Sequence, residues 1–157
     1  MATRSLIGTY DDDGGWQMRY VHWDGYPDHM GAELCRIVNR DGMDRALHVL
    51  TVANPYGWSS IDAGTEKPRP EAGDRFATVP GYGHAYQSGD GWSEHVLRHD
   101  DTGAEWAYLV SAQVTGEPMI DVYEWTWGSG TWRLSMCIDC ATGRTLATNL
   151  KEGRVNV

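Results

Sequence analysis

The stretch "YVHWDGYPDHMG", residues 20–31, is where one side-chain period gives way to another. Before it, "WQMRYVHW" (16–23) alternates with period 2, which puts Tyr20 and His22 on one face of a strand and Arg19, Val21 and Trp23 on the other. After it, Met30, Leu34, Ile37 and Val38 recur at i, i+4, i+7 and i+8, which predicts an amphipathic helix over 27–40. Pro27 suits the first helical turn, where its missing N–H costs nothing, and Asp28 suits the positive end of the helix dipole. Gly25 permits the turn, and Asp24 is placed to accept the free N–H groups of the helix start.

Working outward, "RSLIGTY" (4–10) reads as a strand and "DDDGG" (11–15) as a turn, so the chain opens with a β-hairpin. Beyond the helix, "DG" at 41–42 is a break, with Asp41 as the cap of a second helix marked by Met43, Ala46, Leu47, Leu50 and Ala53. "NP" at 54–55 stops that helix. Residues 54–75 mix Pro, Gly and charge without periodicity and read as a long loop, which carries Tyr56 and Trp58. Within 76–99 the pattern is weak: "FATVPGYGHAYQ" is a Gly-interrupted strand, and "GWSEHVLRH" a short strand or helix. Residues 105–112, 119–127 and 131–138 alternate again and form an antiparallel meander. Trp132, Leu134, Met136 and Ile138 would share one face of its last strand, and Tyr123, Trp125 and Trp127 one face of its middle strand. "TLATNL" (145–150) is a short last strand. The expected fold is α+β in a single domain, 1–157. Its antiparallel sheet combines the N-terminal hairpin with the C-terminal meander, and two helices pack on one face.

A length of 157 residues with 41% hydrophobic and 22% charged residues suits one domain with a real core. The net charge of −9 opposes nonspecific nucleic-acid binding and docking on anionic membranes. No apolar run approaches the ~20 residues of a membrane span, and "MATRSLIGTY" has no signal-peptide core. Three cysteines fit a reducing compartment, so an intracellular setting is expected. Eight Trp and eight Tyr stand against one Phe, a bias toward rings with a polar handle. They supply either core bulk or a half-wet binding face.

"HWDGYPDH" carries the densest chemistry and admits two readings. In one, Asp24 caps the helix, His22 bonds the turn backbone, and Trp23 and Tyr26 pack the corner. In the other, His22 and Asp24 line a pocket with Trp23 or Tyr26 as a stacking wall, suited to an anionic planar ligand such as a nucleotide. A metal held by His22, Asp24 and His29 matches no defensible geometry. "CIDC" (137–140) is half a zinc knuckle, but Cys35 and a histidine would have to complete it. In a strand Cys137 and Cys140 face opposite ways, so inert thiols and no zinc are expected. His95 and His99 have i, i+4 spacing but lack the intervening Glu of a metalloprotease. No phosphate loop, nucleophile elbow or dinucleotide fingerprint is present, so no cofactor is expected.

The hexapeptide His22–Pro27, set between a hairpin and a helix and preceded by Ser5, Leu6, Ile7 and Gly8, resembles a group of small bacteriophage-encoded proteins of unassigned function. The resemblance covers the first quarter of the chain; "GYGHAY" (81–86) and "EWAYLV" (105–110) match more loosely. It implies a phage setting in the cytoplasm of a bacterial host, and no chemistry. The expectation is a non-enzymatic accessory protein for host takeover or counter-defence. Its partner would be a host protein or a small nucleotide-like anion, met through His22, Trp23, Asp24, Tyr26, Tyr56 and Trp58. The alternatives are a small hydrolase or nucleotide-processing enzyme using His22 and Asp24 as acid/base groups, and a virion structural component. Homo-oligomerisation is left open.

Overall fold

The computed structural model describes residues 2–69, 75–88, 93–146, 148–149 and 154–155. The hairpin forms as its turn chemistry predicts, from β1 (Ser5–Tyr10) and β2 (Trp16–Val21). The helical periodicity becomes α1 (Pro27–Asp41). Then come α2 (Met43–Leu47), which runs into a π-helical turn at His48–Val52, and β3 (Trp58–Ile61), β4 (Phe76–Val79), β5 (Gly83–Tyr86) and β6 (Ser93–Val96). The meander is β7 (Trp106–Ala112), β8 (Pro118–Thr126) and β9 (Thr131–Asp139), followed by β10 (Thr145–Leu146).

Strands β1 to β10 form one sheet in the order β10-β9-β8-β7-β1-β2-β3-β5-β4, with β6 added beside β2, and residues 148–149 pair separately with 154–155. It is a mixed sheet, which corrects the antiparallel expectation: β1 pairs parallel with β7, and β2 parallel with β3. For the second pair the physical reason is the missed strand β3, which lies inside the expected loop 54–75. Two parallel strands need a long crossover, usually helical, and residues 22–57 with α1 and α2 supply it. β3 escaped notice because "WSSI" is four residues long and half polar. The weak region resolves into the β4–β5 hairpin and the strand β6.

Both helical segments lie on one face, though unequally. Met30, Leu34, Ile37 and Val38 of α1 are buried against Ile7, Val110, Ile120 and Val122, whereas the second segment contributes mainly Ala46 and Leu50. The other face is not left to solvent: Leu6, Met18, Leu109, Tyr123, Trp125 and Trp132 build a second core there. The sheet curls around it until the segment after β6 meets the start of β9. Trp132 N donates to Arg98 O (2.9 Å), and Trp132 Nε1 to Asp100 O (3.2 Å). Trp16 anchors this core, its ring 4.6 Å from Tyr123 and 5.9 Å from Trp132. Trp16, Trp58, Trp125 and Trp132 are therefore core bulk, while Trp23 and Trp127 are exposed.

A register break explains why the expected face of β9 fails halfway. Tyr123 pairs with Leu134 but Val122 with Met136, so Ser135 is an extra residue. This bulge sends Trp132, Leu134 and Cys137 into the second core, and Met136 and Ile138 to the helix side. Trp127 likewise lies beyond the end of β8 and is exposed.

The corner between β2 and α1 is built differently from its sequence reading. The residue preceding α1 is Tyr26, with no side-chain cap, so Asp24 does not cap the helix. Instead Asp24 takes the left-handed conformation (φ 56°), which Asp tolerates better than most residues. Gly25 is required for closeness, not for positive φ. A Cβ there would sit 2.6 Å from Thr3 O and 2.7 Å from Ser5 Cβ. Gly25 N donates to Thr3 O (2.9 Å), and Tyr108 Oη donates to Gly25 O (2.6 Å). Asp41 does not cap α2 either, since Gly42 stands at that junction. Its carboxylate takes two bonds from Arg40 and one from the Tyr82 hydroxyl, and these bonds hold its pKa down to about 2. Arg40 also donates to Gly81 O (2.9 Å), so this knot fixes the β4–β5 turn to the end of α1.

Two substitutions test the corner. Gly25→Ala should lower stability by about 1–3 kcal/mol, the usual cost of overpacking against backbone. Asp24→Gly should unfold at or above the wild-type urea midpoint, because glycine removes the left-handed strain and no cap is lost.

Candidate functional site

β2 changes neighbours along one edge. Trp16–Arg19 pair with β6, and Val21 pairs with β3. Beyond Val21 the backbone stays on β3, with His22 N donating to Trp58 O (3.1 Å) and Trp23 N to Ser59 O (3.0 Å). Beside this change of partner lies a cavity of about 460 Å³, lined by Arg4, Tyr20, His22, Trp23, Arg75, Phe76, Tyr86 and Thr102. That volume is in the range of small-molecule sites.

Each wall follows from an element. Period-2 alternation puts Tyr20 and His22 on the same face, and Tyr20 Oη lies 2.6 Å from His22 Nδ1. Trp23, 42% exposed, stands edge-on to His22 with ring centroids 4.7 Å apart. Phe76 and Tyr86, opposite each other in the β4–β5 ladder, have centroids 5.1 Å apart. The guanidinium groups of Arg69 and Arg75 lie 5.4 and 5.6 Å from the Phe76 ring centroid. Arg69 also donates to Ser59 Oγ (3.1 Å). Among the described residues no lining residue is acidic, although the chain carries a net charge of −9.

The hydrogen-bond directions follow from what each group can do. Arg4 can only donate, so it gives a proton to the Tyr20 hydroxyl, which also shares a hydrogen bond with His22 Nδ1. The pKa of His22 is lowered, first by burial and second by the charge of Arg4, so the ring is neutral at pH 7. The site therefore presents guanidinium donors, an imidazole and several aromatic faces. That set suits a planar ligand bearing an anionic group.

Of the expected site residues, the structure brings His22 and Trp23 to this cavity. Asp24 and Tyr26 belong to the adjoining corner but do not line it, and among the described residues no hydrogen bond joins His22 to Asp24. Tyr56 is exposed in the turn before β3. Trp58 is wholly buried, with Nε1 donating to Leu50 O (3.0 Å), so it belongs to the core and offers no ligand surface. His29 is also committed, to Ile61 O at 2.9 Å. Arg4, Tyr20, Arg75, Phe76, Tyr86 and Thr102 were missed. The one available signal was the setting of Arg69 and Arg75 around the only Phe of an acidic chain.

Metal chemistry at "CIDC" fails on geometry, because Cys137 lies in the second core and Cys140 in the helix-side core. Among the described residues, Asp11, Asp13 and His95 bring ligand atoms within 4.8 Å of one another on the surface. His95 Nε2 there lies 3.1 Å from Asp13 Oδ1. No helix among the described residues is long and apolar enough to cross a membrane. Compared with protein-family models, with curated proteins and with solved structures, the chain finds no match.

The lowered pKa of His22 sets a pH test. The unfolded chain takes up this proton near 6.5 and the folded chain only at lower pH, so protonation favours unfolding. The His22 contribution is full above 6.5 and is lost as pH falls through that value toward the folded pKa. Urea midpoints at about pH 7.5 and about pH 5.5 should therefore differ more for wild type than for His22→Gln.

Proposed function

We propose that this chain is a binding protein that captures a small, planar, anionic ligand of the nucleotide type, and that it does so as a phage accessory protein in host takeover or counter-defence. The reading rests on one observation. In a chain with net charge −9, two arginines, an imidazole and four aromatic rings converge on one cavity, with no carboxylate among its described lining residues. The arginines supply charge-assisted bonds to a phosphate or carboxylate. Trp23, Phe76 and Tyr86 supply faces for a base. The surrounding negative charge repels a long polyanion and leaves only a short anionic group room to bind. The phage setting is supported by the "HWDGYP" resemblance. The small-ligand form of this function is favoured over host-protein capture because the cationic and aromatic groups are concave, not spread over a flat patch. The hydrolase alternative used His22 and Asp24 as acid/base groups, and Asp24 does not line this cavity.

The test is calorimetric titration with nucleoside mono-, di- and triphosphates and cyclic dinucleotides. At least one should bind and quench tryptophan fluorescence. Arg4→Ala and Arg75→Ala should each weaken binding by about 10- to 100-fold, the loss of one charge-assisted hydrogen bond. Trp23→Ala should remove most of the quench. No binding by any member of the panel at millimolar concentration would overturn the reading.

A further inference from the structure

We propose that Cys35 and Cys140 form a thiol–disulfide exchange site, which closes a disulfide between α1 and the end of β9 when the protein meets a small disulfide oxidant of the glutathione class. The "CIDC" spacing points to Cys137 as the partner of Cys140, but the fold selects Cys35. The Cys35 and Cys140 sulfurs are 2.8 Å apart, while Cys137 is enclosed in the opposite core. Their surroundings hold them in place. Asn39 Nδ2, one turn along α1, donates to Cys140 O (2.7 Å), and Cys140 N donates to Pro118 O (3.3 Å). Closure therefore requires only side-chain movement.

Access is one-sided. Cys35 lines a groove of about 260 Å³ with Pro27, Gly31, Ala32, Met136 and Ile138, and Cys140 is not part of that lining. The two thiols also differ in acidity. The hydrogen bond that the two thiols share lowers the pKa of Cys35 against the effect of burial and, with burial, raises that of Cys140. Cys35 is therefore the attacking thiolate and Cys140 the resolving thiol. Cys35 attacks one sulfur of the oxidant and releases the first small thiolate, leaving a mixed disulfide. Cys140 then gives up its proton and attacks Cys35 Sγ, which expels the second small thiol. The protein dithiol loses two electrons and two protons, and the oxidant becomes two thiols. In a reducing cytoplasm the pair stays open, and it closes under oxidative challenge.

The experiment treats the full chain with glutathione disulfide, alkylates remaining thiols in denaturant, and maps the peptides by mass spectrometry. The expected product is a monomer lighter by two hydrogens, with the Cys35 and Cys140 peptides linked and Cys137 the one alkylated thiol. Cys140→Ser should stop at the glutathione adduct on Cys35, and Cys137→Ser should oxidise like wild type. Three alkylated thiols, glutathione retained on the wild-type chain, or any link that includes Cys137 would overturn the proposal. The wild-type map is decisive even if a variant fails to fold.

Discussion

The first four residues of β1 have no solvent face. Ser5, Leu6, Ile7 and Gly8 are all buried, and the side chains of Leu6 and Ile7 go to two different cores. Leu6 enters the curled sheet and Ile7 meets the helices, so one short strand joins both halves of the hydrophobic interior. At Gly8 the fit to β2 is so close that a Cβ would fall 1.9 Å from Gln17 O. With β2 on one side and β7 on the other, β1 holds the hairpin and the meander in one sheet. It also determines where the cavity can be. Arg4 immediately precedes it, and Thr3 and Ser5 are the atoms against which Gly25 folds the corner.

The cavity inherits its character from that arrangement. Its aromatic walls come from two ladders, β2 and β4–β5, which are brought together by β3. Its cations come from segments that flank strands and carry no regular pattern of their own. The arginine knot at Asp41 and Tyr82 holds the β4–β5 hairpin from the far side, so the Phe76 wall is braced by α1 without touching it. The cavity's cationic and aromatic groups are placed on strand ends and supported from behind by helix-to-turn contacts.

What could be read from the chain alone was what depends on short-range period. The hairpin, α1 and the three meander strands appear where alternation and helical spacing put them. What escaped depends on pairing across distance. β3 is short and half polar, and only its parallel contact with β2 makes it a strand. Ser135 looks like any outward residue of β9, and only the opposing register of β8 reveals it as a bulge. The site was legible for His22 and Trp23, which share a local motif. Arg4, Arg75, Phe76 and Tyr86 meet only after the sheet is assembled, and no local spacing announces them. Asp24 and Trp58 were misread for the converse reason: a polar residue at a turn can serve the backbone, and an aromatic in an apparent loop can be a core anchor.

The parallel pairing of β1 with β7 also has a cost during synthesis. Ser5 leaves the ribosome well before its partner Trp106, which emerges only much later in translation. At ordinary elongation rates that interval is roughly 5–20 s. Throughout it the nascent hairpin carries an open apolar edge, the kind of edge that templates intermolecular β-pairing. Asp11, Asp12 and Asp13, which close the hairpin at its tip, place a block of like charge at the end of that edge. The acidic turn thus acts as a gatekeeper for a strand that must wait for its neighbour.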